Sequence, residues 1–161
     1  MKLIASFFFV GYLRPGPGTW GSLAALPAAW LLHAIGGVWL LIIAGVVLFA
    51  AGYVATKKLT EGATDHDPSW IVVDEVVGQW IALLTVSYGA TAMGIDVLRL
   101  WPGILSAFVF FRLFDIWKPW LVGRADRSGG AMGVMLDDVI AGVFATIVTA
   151  VLAAIAHGFL M

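Results

Sequence analysis

The stretch from Val38 to Thr56 contains no charged residue and is followed at once by Lys57 and Lys58. At 1.5 Å per residue, a helix of this length crosses the hydrocarbon core of a bilayer. Lipid offers no hydrogen-bond partner to the backbone, so a chain that crosses it must do so as helices or as a closed barrel. This stretch therefore restricts the fold more than any other feature of the chain.

The composition agrees with a membrane environment. Hydrophobic residues make up 61% of the 161 residues and charged residues only 12%. A water-soluble fold of this size could not bury so much apolar side chain. The chain contains no cysteine, which excludes disulfides, thiolate metal sites and cysteine nucleophiles. We therefore interpret it as an integral membrane protein.

Three further segments are long enough to cross: Trp70 to Met93, Leu100 to about Trp117, and Met132 to about His157. Ser22 to Ile35 is shorter and contains a proline, which predicts a re-entrant or tilted helix. Leu3 to Leu13 is too short to span and predicts an interfacial or buried N-terminal helix. The predicted fold is all-α, a polytopic membrane helical bundle of about four transmembrane helices plus these shorter helices, in one domain over residues 1–161.

Alternate crossings place most charged residues on one side of the membrane. That side holds Lys57, Lys58, Asp65, His66, Asp67, Asp74, Glu75, Arg112, Asp115, Lys118, Arg124, Asp126, Arg127, Asp137 and Asp138. The excess of Lys and Arg there predicts that this side faces the cytoplasm.

Two acidic segments resemble each other. VVDEVVGQ (Val72–Gln79) and MLDDVIAG (Met135–Gly142) share the order apolar, apolar, acid, acid, apolar, apolar, and both begin helices that enter from the same side. Asp67 and Pro68 are predicted as helix cap and first-turn residues, about two turns before Asp74 and Glu75. Because an acid at the centre of a membrane helix costs ~2.5–3.5 kcal/mol, five carboxylates would cost on the order of 10 kcal/mol.

Two kinds of partner can offset that charge. Arg112, Asp115 and Lys118 recur at three-residue spacing on one side of the third long span, so two cations face the acids. A net negative excess remains, and a divalent cation would neutralise it. All-oxygen ligands favour Mg²⁺, or Mn²⁺ as the second candidate, over Zn²⁺. For any one acid, an ion pair near the interface is an almost equal explanation.

Glycine-rich turns precede two of the helices. RPGPGTWGS (Arg14–Ser22) allows close backbone approach, and Thr19 or Ser22 would cap the helix that follows. Such a turn can present N–H groups to a phosphate oxygen, although in isolation the segment favours a plain loop with a helix cap. DRSGGAMG (Asp126–Gly133) precedes the second acidic pair. Together these features predict an anion-plus-metal pocket at the membrane surface.

Four blocks, PGPGTWGSLAALP, DHDPSWIVVDEVVGQW, FRLFDIWKPW and DRSGGAMGVMLDDVIAGV, resemble the phosphatidylglycerophosphatase A family. The resemblance covers about Pro15 to Val143. It implies a Mg²⁺-dependent phosphatase of the bacterial inner membrane that converts phosphatidylglycerophosphate to phosphatidylglycerol, with its active site facing the cytoplasm. The implied partners are the membrane and its phospholipid substrate; a homodimer is compatible with such small spans, and no nucleic acid is predicted.

The resemblance also implies roles for individual residues. The implied catalytic acids are Asp74, Glu75, Asp115, Asp137 and Asp138. The implied metal ligands are Asp67, Glu75, Asp115 and Asp138. The implied phosphate-binding residues are Thr19, Ser22, Arg112, Lys118 and Arg127. Direct attack by water and a covalent aspartyl-phosphate both remain open.

A cation- or proton-translocating protein is the alternative on physical grounds, because buried acids with partnered cations also line ion pathways. A pathway needs polar groups through the midplane, whereas the far halves of the spans, such as LLTVSYGATAMG, carry almost no charge. The sequence therefore favours the enzyme.

Overall fold

A computed structural model describes residues 1–62 and 68–160 of the chain. Asp65, His66 and Asp67 lie outside the described residues. The regular structure within them is helical: α1 (Lys2–Ala5), α2 (Pro17–Thr60), α3 (Val73–Ala82), α4 (Leu84–Met93), α5 (Trp101–Trp117), α6 (Leu121–Asp126) and α7 (Gly130–Leu160), with 3₁₀ turns at Val10–Tyr12 and Val97–Leu100. The all-α prediction is confirmed.

Helix α2 reverses direction at Gly36 and Gly37, whose backbone angles are not helical. In a straight helix, residues 18 and 52 would lie about 50 Å apart at 1.5 Å per residue. Instead, Gly18 approaches Glu75 and Gly52 approaches Val73, at the same end of α3. Gly37 has φ +61, which glycine adopts without penalty. Residues 17–35 and 38–60 are therefore two antiparallel arms, which we call the first and second arms of α2.

The number of membrane-spanning helices agrees with the prediction of about four. Three helices are long and apolar enough to cross: Pro17–Thr60, Val97–Trp117 and Gly130–Gly158. Within Pro17–Thr60, the second arm of α2 corresponds to the predicted span from Val38 to Thr56. The predicted span from Trp70 to Met93 is instead a pair of helices, α3 and α4, bent by 40°. Counted as one broken span, this pair makes the fourth.

Two predicted helix boundaries are wrong. Helix α3 begins at Val73, so Asp74 and Glu75 lie in its first turn and not two turns in. The preceding residues follow another path, because the Val72 N–H donates to the Ala5 carbonyl and the Ile71 N–H to the Pro68 carbonyl. The first arm of α2 begins at Pro17 with Gly16 as its cap. Thr19 and Ser22 therefore lie inside that helix and do not cap it.

The N-terminal segment also departs from the prediction of one helix over Leu3 to Leu13. Phe7, Phe8 and Phe9 have φ values of 42, 56 and 69, which end α1 at Ala5. The chain resumes as a 3₁₀ turn at Val10–Tyr12. This segment contacts both ends of α3: Ala5 accepts the hydrogen bond from Val72, the N-cap residue, and the Phe7 ring meets the Trp80 ring edge to face at 6.3 Å near the other end.

The two acidic helices cross at a pair of glycines. A Cβ on Gly142 would lie 2.4 Å from the Gly78 carbonyl oxygen, and one on Gly78 would lie 2.6 Å from the Asp138 carbonyl oxygen. Small residues allow this backbone contact between membrane helices. Each glycine follows an acid by four residues, namely Asp74 and Asp138. The crossing thus places both acidic pairs one helical turn away, at the same end of the bundle.

We predict that Gly142→Ala destabilises the protein by about 1–3 kcal/mol, because the added methyl group overpacks the contact with α3. Gly45→Ala is the matched control: a Cβ there meets nothing within 4 Å, so helix propensity makes the change neutral or stabilising. Thermal unfolding in detergent measures both. Equal unfolding temperatures for the two variants would contradict a close crossing of α3 and α7.

Candidate active site

A polar cavity of about 310 Å³ opens at the end of the bundle where α3 and α7 begin and α5 ends. The turn at the start of α2 contributes Gly16, Pro17 and Gly18 to its wall. The charged side chains that line it are Asp74, Glu75, Arg112, Asp115, Lys118, Asp137 and Asp138. The predicted gathering of charge at one end is therefore observed. Five acids face two bases, which leaves a net negative charge.

Three carboxylates form the tightest cluster in the cavity. Oxygen atoms of Asp74, Glu75 and Asp138 lie within 4.8 Å of one another. We call these three residues the acid trio. In each acidic pair, the backbone N–H of the second residue donates to the carboxylate of the first, at 3.0 Å from Glu75 to Asp74 and 2.9 Å from Asp138 to Asp137. The sequence similarity of the two segments thus corresponds to a shared local structure.

Arg112 joins α5 to the first arm of α2. Its guanidinium pairs with Asp115 one turn along α5 and reaches the hydroxyls of Ser22 and Thr19, both at 3.4 Å. Ser22 is fully buried and donates to the Gly18 carbonyl, so it is already engaged in the helix. Asp115 also lies beside Asp138. These contacts hold one positive group at the edge of the acid trio.

Lys118 carries the second positive charge. It is the C-cap residue of α5, with φ 48, and its ammonium group contacts Asp126 and, at 2.8 Å, Asp137. Partial burial lowers the pKa of Lys118, but the hydrogen bonds to Asp126 and Asp137 outweigh it and raise this pKa above its usual range. Lys118 is therefore a permanent cation at the mouth of the cavity.

The acid trio has the chemistry of a divalent cation site. Its donors are all carboxylate oxygens, which Mg²⁺ prefers. Glu75 Oε2 and Asp138 Oδ1 are buried and have no hydrogen-bond partner. A buried carboxylate oxygen without a partner is unfavourable, so an ion bound between these atoms would complete the site. The residues present therefore fit a Mg²⁺ or Mn²⁺ ion.

The predicted site residues do not all reach the cavity. Asp74, Glu75, Asp115, Asp137, Asp138, Arg112 and Lys118 line it. Thr19 and Ser22 lie behind Arg112. Arg127 is exposed and lies over Gly123, outside the cavity lining. Asp67, a predicted metal ligand, belongs to the segment outside the described residues.

Two contributions were missed from the sequence. Asp126 holds Lys118, although nothing in the spacing of the two residues indicates it, because α6 folds back between them. Gly18 allows the first arm of α2 to touch the acids, since a Cβ there would lie 2.2 Å from Glu75 Oε1. The glycines at positions 16, 18 and 21 indicated that the backbone closely approaches another part of the protein, but they did not indicate that Gly18 would contact Glu75.

The fold and the cavity together define a class: a polytopic helical membrane protein with a cavity at one end that is lined mainly by acidic side chains. The Phosphatidylglycerophosphatase A family model matches residues 3–153. The chain belongs to this family of phosphoric monoester hydrolases, and it is a lipid phosphatase. No solved structure matches the chain.

Three bacterial proteins are similar to this chain over most of their length. The phosphatidylglycerophosphatase A of Haemophilus influenzae is 36% identical, over 92% of this chain and 85% of its own. The Escherichia coli protein of the same name is 35% identical, over 88% of this chain and 76% of its own. A putative phosphatidylinositol-3-phosphatase of Bacteroides thetaiotaomicron is 39% identical, over 92% of this chain and 91% of its own.

We predict that Gly18→Ala lowers phosphatase activity about 100-fold while the protein stays folded. The new methyl group would displace the Glu75 carboxylate, a flexible side-chain end, and a shift of about 1 Å in a reacting group costs about that much. Phosphate release and thermal unfolding measure the two effects. Gly45→Ala is again the control, and full activity of Gly18→Ala would contradict the placement of Glu75.

Proposed function

We propose that this protein hydrolyses the phosphomonoester of phosphatidylglycerophosphate to phosphatidylglycerol and inorganic phosphate, with Mg²⁺ as its cofactor. The observation that carries the proposal is the acid trio, whose oxygens lie within 4.8 Å beside two fixed cations at one end of a membrane bundle. The names of two relatives support the substrate. Membership of the family supports hydrolysis over ion translocation.

Asp74, Glu75 and Asp138 would hold the ion, with Asp115 and Asp137 beside them. When bound, Mg²⁺ supplies Lewis acidity toward the phosphoryl oxygens and lowers the pKa of a water molecule. Arg112 and Lys118 would bind the remaining phosphate oxygens, since Arg matches phosphate geometry and Lys adds a point charge. In this arrangement Asp115 and Asp137 orient the two cations.

The proposed reaction transfers the phosphoryl group to water. The water oxygen bonds to phosphorus while the bond from phosphorus to the lipid oxygen breaks. A cavity carboxylate takes the proton of the water, and the departing lipid oxygen takes up a proton as it becomes a hydroxyl. A route through an aspartyl-phosphate, in which one acid attacks first and water then hydrolyses the acyl-phosphate bond, has the same net balance.

The position of the cavity suits a lipid head group. Helices α3 and α7 begin at it and continue as apolar helices, so a phosphate could enter while the acyl chains stay in the bilayer. Lys57 and Lys58, at the same end, support a cytoplasmic orientation in a bacterial inner membrane.

The relative named as a putative phosphatidylinositol-3-phosphatase supports a second substrate, a phosphoinositide monophosphate. Both lipids carry a phosphomonoester on a head group, so the same ion and cations would bind either. The two candidates differ in the alcohol that leaves, which is a glycerol hydroxyl in one and an inositol hydroxyl in the other.

The direct test is phosphate release by detergent-purified protein from each lipid, with Mg²⁺ and with EDTA. We expect Mg²⁺-dependent release from phosphatidylglycerophosphate, faster than from phosphatidylinositol 3-phosphate, and at least a 100-fold loss in Asp138→Asn. No release from either lipid by folded protein would overturn the proposed hydrolysis, and ion flux in liposomes would then test translocation. Undiminished phosphate release in EDTA would overturn the proposed dependence on Mg²⁺.

We further predict that Arg112→Lys lowers activity at least 10-fold. Lysine keeps the charge but cannot contact Asp115, Thr19 and Ser22 together as the guanidinium does. Arg99→Lys, at the opposite end of the bundle, is the matched control and should retain full activity. Equal activity of the two variants would contradict the proposed role of Arg112 in binding phosphate.

A further inference from the structure

Gln79 is a buried polar residue that the proposed reaction does not use. Its side chain is 0% exposed, and neither its amide nitrogen nor its amide oxygen has a hydrogen-bond partner. A buried amide with all of its hydrogen bonds unmade is rare in folded proteins and calls for an explanation. The position of Gln79 in α3 supplies an explanation.

Gln79 lies four residues after Glu75 in α3, so the two side chains share one face of the helix, with their Cβ atoms about 5–6 Å apart. Glu75 on that face lies close to Arg112 of α5, because Gly18 lies against both the Glu75 carboxylate and the Arg112 guanidinium. Gln79 is one helical turn further along α3 than Glu75 and therefore lies deeper in the bundle.

The unsatisfied hydrogen-bonding groups of Gln79, Glu75 and Arg112 complement one another. Glu75 Oε2 is an acceptor without a partner, and Arg112 Nε is a donor without one, both buried. The Gln79 amide offers two donors and one acceptor. The atoms make no direct bonds, and buried waters typically fill such gaps by bonding about three otherwise unsatisfied groups.

We propose that Gln79 is a positioning residue, whose amide orients the Glu75 carboxylate toward the bound cation through ordered water shared with Arg112. The inference rests on the proposed function, because it takes Glu75 as a ligand of the ion. Partners that orient metal ligands in this way typically change metal affinity 10–100-fold when removed. Gln79 makes no hydrogen bond to protein, so its loss should leave the fold largely unchanged.

The test is binding of Mn²⁺ alone to the full chain in detergent, measured by electron paramagnetic resonance of the free ion, together with thermal unfolding without metal. Gln79→Met keeps the length of the side chain and removes its polar atoms. Thr56→Val is the matched control, because Thr56 Oγ1 is likewise buried without a partner but belongs to the second arm of α2 and not to the helix that carries Glu75. We expect the Mn²⁺ dissociation constant to rise 10–100-fold in Gln79→Met only, with similar unfolding temperatures for both variants.

The outcomes separate this inference from the function on which it rests. Mn²⁺ binding by Gln79→Met as tight as by wild type, while wild type binds, would overturn the positioning role alone. A Gln79→Met protein much less stable than Thr56→Val would make Gln79 a structural residue and would also overturn it. No Mn²⁺ binding by wild-type protein would overturn both this inference and the proposed metal site.

Discussion

The contact between α3 and α7 at Gly78 and Gly142 determines the geometry of the rest of the site. The two helices approach until the Gly78 carbonyl leaves no room for a Cβ on Gly142. Each helix carries acids one turn before its glycine, so this approach forces carboxylates of like charge together. Five acids in membrane helices would cost on the order of 10 kcal/mol. The other polar features of the cavity are arranged around that charge.

Two basic side chains offset the negative charge at the edges of the cluster. Arg112 and Lys118 pair with Asp115, Asp126 and Asp137 and are held in place by those contacts. In the middle, Glu75 Oε2 and Asp138 Oδ1 retain buried oxygens without hydrogen bonds. An arrangement with unfavourable charge at its centre and satisfied pairs around it is typical of a functional site. The proposed cation and phosphomonoester are the ligands that would complete it. The electrostatic free-energy cost of the clustered carboxylates would then be offset when the cation and the phosphate bind.

Much of this could be predicted from the sequence, because long apolar stretches and alternate crossings leave few topologies for a membrane chain. Those rules placed Asp74, Glu75, Asp115, Asp137 and Asp138 at one end of the bundle. Local details were harder to predict. The start of α3 depends on a hydrogen bond from Val72 to the carbonyl of Ala5, and such long-range backbone contacts have no sequence signature.

The same limit applies to the finer parts of the site. Sequence spacing placed Arg112 and Lys118 on one side of α5, but only the fold shows that Thr19 and Ser22 stand behind Arg112. Arg127 follows the pattern of a phosphate-binding residue, yet the path of α6 leaves it exposed. The roles of individual acids as metal ligands remain predictions.

Under the proposed function, a divalent cation joins α3 to α7 through the acid trio. Anomalous X-ray scattering from crystals grown with Mn²⁺ tests it most directly. We expect a single strong peak about 2.0–2.3 Å from oxygens of Asp74, Glu75 and Asp138. A peak bound only by other acids, such as Asp126, or no peak in crystals that show the cavity clearly, would contradict the account.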